Sequence, residues 1–140
     1  DDPYVVAVNP GGMTFARGEY DPPLIIQSLF AVGNLMDLFD RDNPALDKTR
    51  YSIRHEITKY NNEPIRTNYF LDSEYRGLSA VIFSDAYPLS LPKPDGREFK
   101  LVHNPYARNP IDRGLFKIGC EYWVEGNGIR SRNWNDNNGS

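Results

Sequence analysis

Residues 99–116 read FKLVHNPYARNPIDRGLF, an apolar run that stops on His-Asn-Pro and meets a second Asn-Pro pair five residues later. The Asn104 side chain can close an Asx-turn, and Pro105 blocks both further strand pairing and a helical conformation of Asn104. The stretch therefore predicts a strand over 98–103 that ends at His103 and leads into a loop rich in turns. Asn109-Pro110 predicts a second turn of the same kind.

Two further apolar runs predict strands that lie beside this one. YVVAVN at 4–9 and LSAVIFS at 78–84 are apolar without alternation, which is typical of strands buried on both faces. EYWVE at 121–125 predicts a last strand. Because such runs are buried only by covering one another, we expect 4–9, 78–84 and 98–103 to share one sheet.

A helix is predicted over 22–32 by the segment DPPLIIQSLFAVG. Asp21 suits the N-cap, Pro22 has the backbone angle of a first helical residue, and Gly33 suits the left-handed position after the helix. The apolar residues of this segment follow the helical period, so we expect the helix to pack against the sheet.

Between the helix and 78–84 the sequence predicts short antiparallel strands. LMDLF and YSIRHEI are separated by clusters of Asp, Asn, Pro and Gly. Apolar and polar residues alternate in YSIRHEI, so we expect His55 on the buried apolar face and Glu56 on the polar face. The fold class that follows is α+β, or α/β, with a mixed and largely antiparallel sheet and one main covering helix at 22–32.

Length and composition predict one domain. A chain of 140 residues can bury a single core, and we assign 1–132 to one globular domain and 133–140 to a polar tail. No apolar run approaches the ~20 residues of a membrane helix, so no membrane partner is expected. A signal peptide is either absent or already removed, and a single cysteine, which cannot form an internal disulfide, favours the cytoplasm. A first residue other than Met suggests a processed or excised chain.

The charge of the chain restricts its partners. A net charge of −3 does not attract a polyphosphate backbone to the molecule as a whole. Contact with nucleic acid would therefore need a local basic patch or an upstream segment. The partner is not assigned by the sequence, and self-association as a homo-oligomer stays open.

Metal and cofactor sites find little support in the sequence. Cys120 and two histidines are too few for a zinc site of the usual kind. We therefore predict no metal, no cofactor, and no metal or disulfide partner for Cys120.

One motif is close to a known metal signature. Pro94-Asp95 and Glu98-Phe99-Lys100 spell a compressed form of the signature of Mg²⁺-dependent nucleases. That signature brings two carboxylates from different strands to one metal, which needs a hairpin between Asp and Glu. Two intervening residues are too few for a hairpin. We expect a turn at Asp95-Gly96 and an exposed strand face that carries Glu98 and Lys100.

His103, Asn104 and Arg108 are the candidate binding residues, and no catalytic residue is assigned. On the structural interpretation, Asn104 contacts nearby backbone N–H groups, Pro105 ends the strand, and Arg108 folds back toward the strand end. On the functional interpretation, His103 lines a pocket with Arg108 and a carboxylate, and titrates near neutral pH beside a fixed positive charge. We favour the structural interpretation.

Two other functional classes remain open. Nine Tyr, seven Phe and two Trp are many for this length, which favours a non-catalytic protein- or ligand-binding module that uses exposed aromatics. A β-rich core explains the same abundance. A hydrolase built around His103 and an acid such as Asp85 or Glu121 has no geometric support in the sequence.

Five segments of the chain together resemble a group of uncharacterised bacterial proteins. These segments are PYVVAVN, PPLIIQSLF, GLSAVIFS, FKLVHNPYARNP and GCEYWVE. The group combines a PYV(I/V)AVN strand and a helix ending in Leu-Phe with an S-A-V-(I/L) strand and an HNP-x-A-x-x-P motif. The resemblance implies further sequence before the first strand, including a Lys-containing helix, as the catalytic half of a restriction-endonuclease-like fold. The function it implies is the distal part of a nuclease-like protein, without a complete active site in this chain.

Overall fold

A computed structural model describes residues 2–13, 20–38, 48–89, 91, 93 and 96–136. The described chain forms two compact units, the first made of the residues before 14 and from 72 onward, and the second of the residues from 20 to 71. In chain order the elements are β1 Val5–Val8, α1 Leu24–Phe30, β2 Val32–Leu38, β3 Lys48–Ile53, β4 Glu56–Thr58, β5 Pro64–Arg66, β6 Ala80–Ser84, β7 Phe99–His103, β8 Cys120–Glu125 and β9 Gly128–Asn133.

The first unit contains a five-stranded mixed sheet in the order β1-β6-β7-β8-β9. β1 is parallel to β6 and β7 is parallel to β8, whereas β6 with β7 and β8 with β9 are antiparallel. The predicted strands 4–9, 78–84 and 98–103 correspond to β1, β6 and β7, so the prediction that they share one sheet is confirmed. The register places Ala80 opposite His103.

The loop after β7 covers one face of this sheet. Ile111 of the loop forms a buried cluster with Ala80 and Leu101, and Phe116 packs against the same cluster. Leu101 is 1% exposed and Ala80 is fully buried. The loop is therefore a layer of the hydrophobic core on this face, and burial holds it in place together with its turns.

β1 is less buried than its sequence predicts. Val5 and Val6 are half-buried, whereas Ala7 and Val8 are exposed. β1 lies at the edge of the sheet, where it pairs with β6. Ala7 and Val8 project to opposite faces of the sheet and both are exposed, so the prediction that this run is buried on both faces is wrong.

The second unit contains α1 and two antiparallel pairs, β2 with β3 and β4 with β5. The prediction of short antiparallel strands in this region is confirmed. The helix contacts β2 and buries the side chains of Ile25, Ile26, Leu29 and Phe30. Phe30 meets Phe70 edge to face, with ring centroids 5.8 Å apart. In the described part of the chain, no helix is long and apolar enough to cross a membrane.

α1 is shorter than the predicted 22–32 and lacks the predicted caps. Pro23 has an extended ψ of 145°, so the helix begins at Leu24 and not at Pro22. No side chain caps this end of the helix. Asp21 instead accepts a hydrogen bond from a tyrosine hydroxyl of β3. Ala31 adopts the left-handed conformation, at φ 54°, that the prediction assigned to Gly33, and Gly33 lies inside β2. The described residues form an α+β fold, which consists of one mixed sheet, two small sheets and one helix.

The prediction that His55 is buried is wrong. β3 ends at Ile53 and β4 begins after a two-residue break, so the alternation of YSIRHEI does not run along one strand. The backbone of Arg54 and His55 bonds instead to Ala31 and Thr67, which leads the chain from one small sheet to the other. His55 is exposed, and Ile53 is 76% exposed.

Candidate functional site

His103, at the end of β7, forms a buried pair with Glu121 of β8. These strands are parallel neighbours with Leu101 opposite Glu121, so the side chains of His103 and Glu121 lie on the same face. Nε2 of His103 lies 2.7 Å from Oε1 of Glu121. His103 is 8% exposed and Glu121 is 1% exposed. Of the two acids that the sequence offers as partners for His103, the structure brings Glu121 to it.

The Glu121 carboxylate accepts hydrogen bonds from two further donors. The Gly114 N–H donates to both carboxylate oxygens, over 2.9 and 3.2 Å, and Nε1 of Trp134 donates to Oε2 over 2.9 Å. Burial raises the pKa of Glu121, but the hydrogen bonds from Gly114, His103 and Trp134 outweigh it and hold the pKa below its usual 4.5. An ionised carboxylate only accepts, so the shared proton belongs to Nε2 of His103. Glu121 thereby fixes the orientation of the imidazole.

His103 lines an open cleft of about 310 Å³. The other lining residues are Asn104, Pro105, Pro110, Arg113, Trp123, Val124 and Glu125. The Arg113 guanidinium lies over the Trp123 ring, 5.1 Å from its centroid. Nε1 of Trp123 donates to Oε2 of Glu125 over 3.2 Å. The cleft therefore combines an oriented imidazole, a guanidinium and a carboxylate with an aromatic wall.

Asn104 anchors the loop, as the structural interpretation predicts. Its Oδ1 accepts from the Tyr106 N–H over 3.0 Å, which confirms the predicted Asx-turn. Its Nδ2 donates to the carbonyls of Tyr75 and Leu78 over 3.0 and 2.8 Å. Both amide hydrogens are therefore used inside the protein. β7 ends at His103, directly before the Asn-Pro pair.

Arg108 lies outside the cleft. Its side chain is exposed, and its backbone N–H donates to the Arg76 carbonyl over 2.7 Å. Arg113, on the same loop, lines the cleft in the way that the sequence suggested for Arg108. The binding roles suggested for His103, Asn104 and Arg108 stay predictions.

The second Asn-Pro pair differs from the first. Within the residues that the structure describes, the Asn109 side chain forms no hydrogen bond. The Asn109 carbonyl instead accepts from Oγ of Ser79 over 2.5 Å. The side-chain turn predicted at Asn109-Pro110 therefore does not form in the described structure, and the loop is held there by a backbone acceptor.

A second polar cluster lies at the opposite end of β6 and β7. Beyond the last ladder pair, the Asp85 N–H donates to the Glu98 carbonyl over 3.2 Å. Asp85 directly follows β6, Glu98 directly precedes β7, and Lys100 is the second residue of β7. Asp85 and Glu98 are 9% and 7% exposed. Oε2 of Glu98 is buried and has no hydrogen-bond partner among the described residues.

Lys100 lies within the electrostatic range of both carboxylates. Burial lowers the pKa of Lys100 below its usual 10.5 and Lys93 adds to this effect, whereas the charges of Asp85 and Glu98 oppose it. Nζ of Lys100 donates to the Arg97 carbonyl over 2.6 Å. The cluster therefore holds two carboxylates and a partly desolvated ammonium.

The expectation of an exposed strand face carrying Glu98 and Lys100 is wrong. Glu98 precedes β7 and is buried, and Lys100 is half-buried, because the hydrogen bonding of the ladder continues past β6 to Asp85. The turn at Gly96 forms, with the Phe99 N–H donating to the Gly96 carbonyl over 2.9 Å. Pro94 and Asp95 lie outside the described residues.

Asp85 supplies the hairpin separation that Asp95 lacks. Twelve residues lie between Asp85 and Glu98, and they connect two antiparallel strands. The sequence signal was available: an Asp directly after an apolar strand, followed by Glu-x-Lys at the start of the next strand. Reading the signature only from the Pro-Asp dipeptide missed it.

Other candidate features are more dispersed. No group of three or more His, Cys, Asp and Glu side chains could hold a metal ion in the described ranges. Cys120 is half-buried at the start of β8. The exposed tyrosines occur in both units: Tyr4, Tyr20, Tyr51, Tyr60 and Tyr106.

Comparison of the chain with protein-family models, curated proteins and solved structures finds no match. Functional inference for this chain therefore depends on its own residues. The first unit has two polar sites, around His103 and around Glu98, whose ionisable side chains make them the candidate functional sites.

Proposed function

We propose that the first unit is a nuclease-like domain that binds a divalent cation between Asp85 and Glu98 and hydrolyses phosphodiesters. The observation that carries this proposal is the buried Glu98 oxygen without a hydrogen-bond partner among the described residues. Burying a carboxylate oxygen without a partner costs free energy, and a bound cation compensates for that cost. The position of Asp85 across the ladder supports a shared site.

The donor set favours a hard cation. Carboxylate oxygens suit Mg²⁺ or Mn²⁺, and Mg²⁺ commonly takes one or two carboxylates and leaves its other positions to water and substrate phosphates. Asp85 and Glu98 provide that number of carboxylates. Lys93 and Lys100 add positive charge for an anionic substrate.

Each group of the proposed site has a separate role. A divalent cation would supply Lewis acidity and a bound water of lowered pKa. Asp85 and Glu98 would hold it, and Lys100, whose charge interacts with both carboxylates, would stabilise the negative charge that develops on the phosphate during hydrolysis.

The motif resemblance supports the same functional class but a different location. It implies metal ligands in sequence before the first strand, whereas this proposal uses an acidic pair within the chain. A domain whose ligands lie elsewhere would bind no divalent cation at Asp85 and Glu98. Cation binding by the present chain therefore decides between the two.

The test is a titration of the wild type, Glu98→Gln and Asp85→Asn with Mg²⁺ and Mn²⁺, followed by calorimetry and by the melting temperature. The matched control is Glu56→Gln, an exposed acid on β4. We expect the cations to bind to and stabilise the wild type and the control, but not the two site variants. Cleavage of plasmid DNA or single-stranded RNA should fall at least ~100-fold in both site variants.

One result would overturn the proposal. If Mg²⁺ and Mn²⁺ leave the wild-type melting temperature unchanged and Glu98→Gln raises it, Glu98 is a destabilising buried acid without a cation. The nuclease-like relation would then have to depend on residues other than this pair.

A further inference from the structure

We infer that the cleft beside His103 is a binding site for a small organic phosphate, held by Arg113 and the imidazole of His103. This inference does not rest on the proposed phosphodiester hydrolysis. Glu98 directly precedes the first residue of β7, whereas His103 is the last residue of that strand, so the two sites lie at opposite ends of β7. Variants at the two sites therefore report separately.

The imidazole has one nitrogen available. Nε2 of His103 bonds to Glu121, whereas Nδ1 has no hydrogen-bond partner in the part of the chain that the structure describes. A histidine with a purely structural role needs only the hydrogen bond to Glu121. A phosphate group can form a hydrogen bond with Nδ1 in either protonation state of the ring, as acceptor from an Nδ1–H or as donor through its own P–OH.

Arg113 supplies the second group. Its side chain is exposed and forms no ion pair or hydrogen bond with the residues that the structure describes, so its N–H groups remain for a ligand. The Trp123 ring below the guanidinium restrains it through a cation–π contact of 5.1 Å. A restrained guanidinium loses less conformational entropy when it forms a bidentate bond to phosphate.

The walls and size of the cleft indicate a small molecule with an apolar body. A volume of about 310 Å³ lies at the lower end of small-molecule sites. Pro105, Pro110 and Val124 provide apolar surface beside Trp123. A cleft of this size and lining fits a compact ligand better than a polymer.

Glu125 at the same cleft opposes the binding of anions. Its carboxylate repels any anion, and it repels a doubly charged phosphate more strongly than a singly charged carboxylate ligand. The same carboxylate is held by Nε1 of Trp123 over 3.2 Å. Removing its charge should therefore strengthen phosphate binding, an effect opposite to that of removing Arg113.

The experiment follows the two tryptophan indole N–H signals of the ¹⁵N-labelled full chain during titration with phenyl phosphate. Trp123 lines the cleft and Trp134 bonds to Glu121, so the two signals separate binding in the cleft from a general change. The further probes are inorganic phosphate, benzoate and benzylamine. We expect a saturable shift of the Trp123 signal with phenyl phosphate, weaker binding of inorganic phosphate and benzoate, and none of benzylamine.

Arg113→Gln and Arg108→Gln form a matched pair, because both arginines are exposed on one loop and only Arg113 lines the cleft. Arg113→Gln should weaken phenyl phosphate binding about tenfold or more, and Arg108→Gln should leave it unchanged. Glu125→Gln should tighten it severalfold. His103→Gln should weaken it, and melting temperatures show whether each variant is folded.

The inference is overturned by any of three results. The first is the lack of a saturable shift of the Trp123 signal up to about 10 mM phenyl phosphate. A dissociation constant above that concentration is weaker than useful ligand affinities. The second is equal weakening by Arg108→Gln and Arg113→Gln, which would mean attraction by overall charge. The third is unchanged binding in folded Arg113→Gln.

Discussion

Glu121 connects three separate segments through one carboxylate. His103 comes from β7, Gly114 from the loop after it, and Trp134 from the chain after β9. A neutral or shortened side chain at position 121 would leave these donors without their charged acceptor. Glu121, the second residue of β8, therefore helps to hold the loop and the end of the described chain on the sheet.

Glu121→Gln should lower the free energy of unfolding by about 3 kcal/mol, because it leaves buried donors without a charged acceptor. Urea denaturation followed by tryptophan fluorescence measures this loss. Glu125→Gln, on the exposed end of the same strand, should cost less than about 0.5 kcal/mol. Equal losses in the two variants would contradict a special role for Glu121.

The pKa of Glu121 also makes stability depend on acid. Folding lowers this pKa below 4.5, so the stabilisation is fully present above that value and is lost as the pH falls through the lower native pKa. Between about pH 5 and pH 3, the wild type should lose more stability than Glu121→Gln does. Parallel pH curves for the two proteins would exclude Glu121 as the source.

Asn104→Ala should destabilise the protein by about 2 kcal/mol, because it removes one acceptor and two donors from part-buried hydrogen bonds with the backbone. Asn109→Ala is the control, since in the described structure its side chain forms no hydrogen bond, and it should change stability by less than about 0.5 kcal/mol. Thermal unfolding of both variants decides. A similar loss in each would mean that the prolines hold the loop.

At this scale the sequence predicts what is local. The Asx-turn of Asn104 closes on Tyr106, two residues away, so its chemistry can be read directly from the sequence. The bonds of Glu121 to His103 and Trp134 depend on strand register and on the path of a long loop. Single residues such as Arg113 carry no local signal of this kind.

At the scale of elements, apolar runs were a sound guide to strands and a poor guide to their surroundings. β6 and β7 are core strands as predicted, whereas β1 has the same composition and lies at an edge. β9 was not predicted, because GIRSRN is polar and exposed and is defined by its pairing with β8. Burial depends on neighbours that composition does not reveal.

The glycines around β8 offer a test of element packing. Gly119, before β8, has φ 52°, and an added Cβ would collide with the carbonyl oxygen of Phe99. Gly126 has φ 61° in open space, and Gly128 has open space without positive φ. Gly119→Ala should cost about 3 kcal/mol or more, Gly126→Ala about 1 kcal/mol, and Gly128→Ala less than about 0.5 kcal/mol. Chemical denaturation of the three variants would show a different order if β8 can shift.

For the whole molecule, the order of units along the chain matters most. The first unit is assembled from two stretches of sequence, and the second unit lies between them. Length predicts a core for a chain of this size, but it does not tell which stretches share one. The pairing of β1 with β6 had a sequence basis in two similar apolar runs, while the boundary of the second unit had none.

The first unit should fold without the second. All ladder partners of its sheet come from the first unit, and a parallel crossover needs only about a dozen residues. Replacing 20–71 by about ten Gly and Ser residues should preserve a cooperative unfolding transition. Both tryptophans, Trp123 and Trp134, lie in this unit, so their fluorescence measures it. Emission typical of an unfolded chain would contradict this expectation.

The separation between β1 and its partner has a consequence during synthesis on the ribosome. Val5 pairs with Ala80, so β1 emerges 75 residues before the strand that it joins. At about 5–20 residues per second this delay lasts roughly 4–15 seconds. The whole of the second unit is made in that interval and can fold while β1 waits, exposed, as a short apolar segment. A chaperone that recognises nascent apolar segments would therefore find a target at Val5–Val8 during this interval.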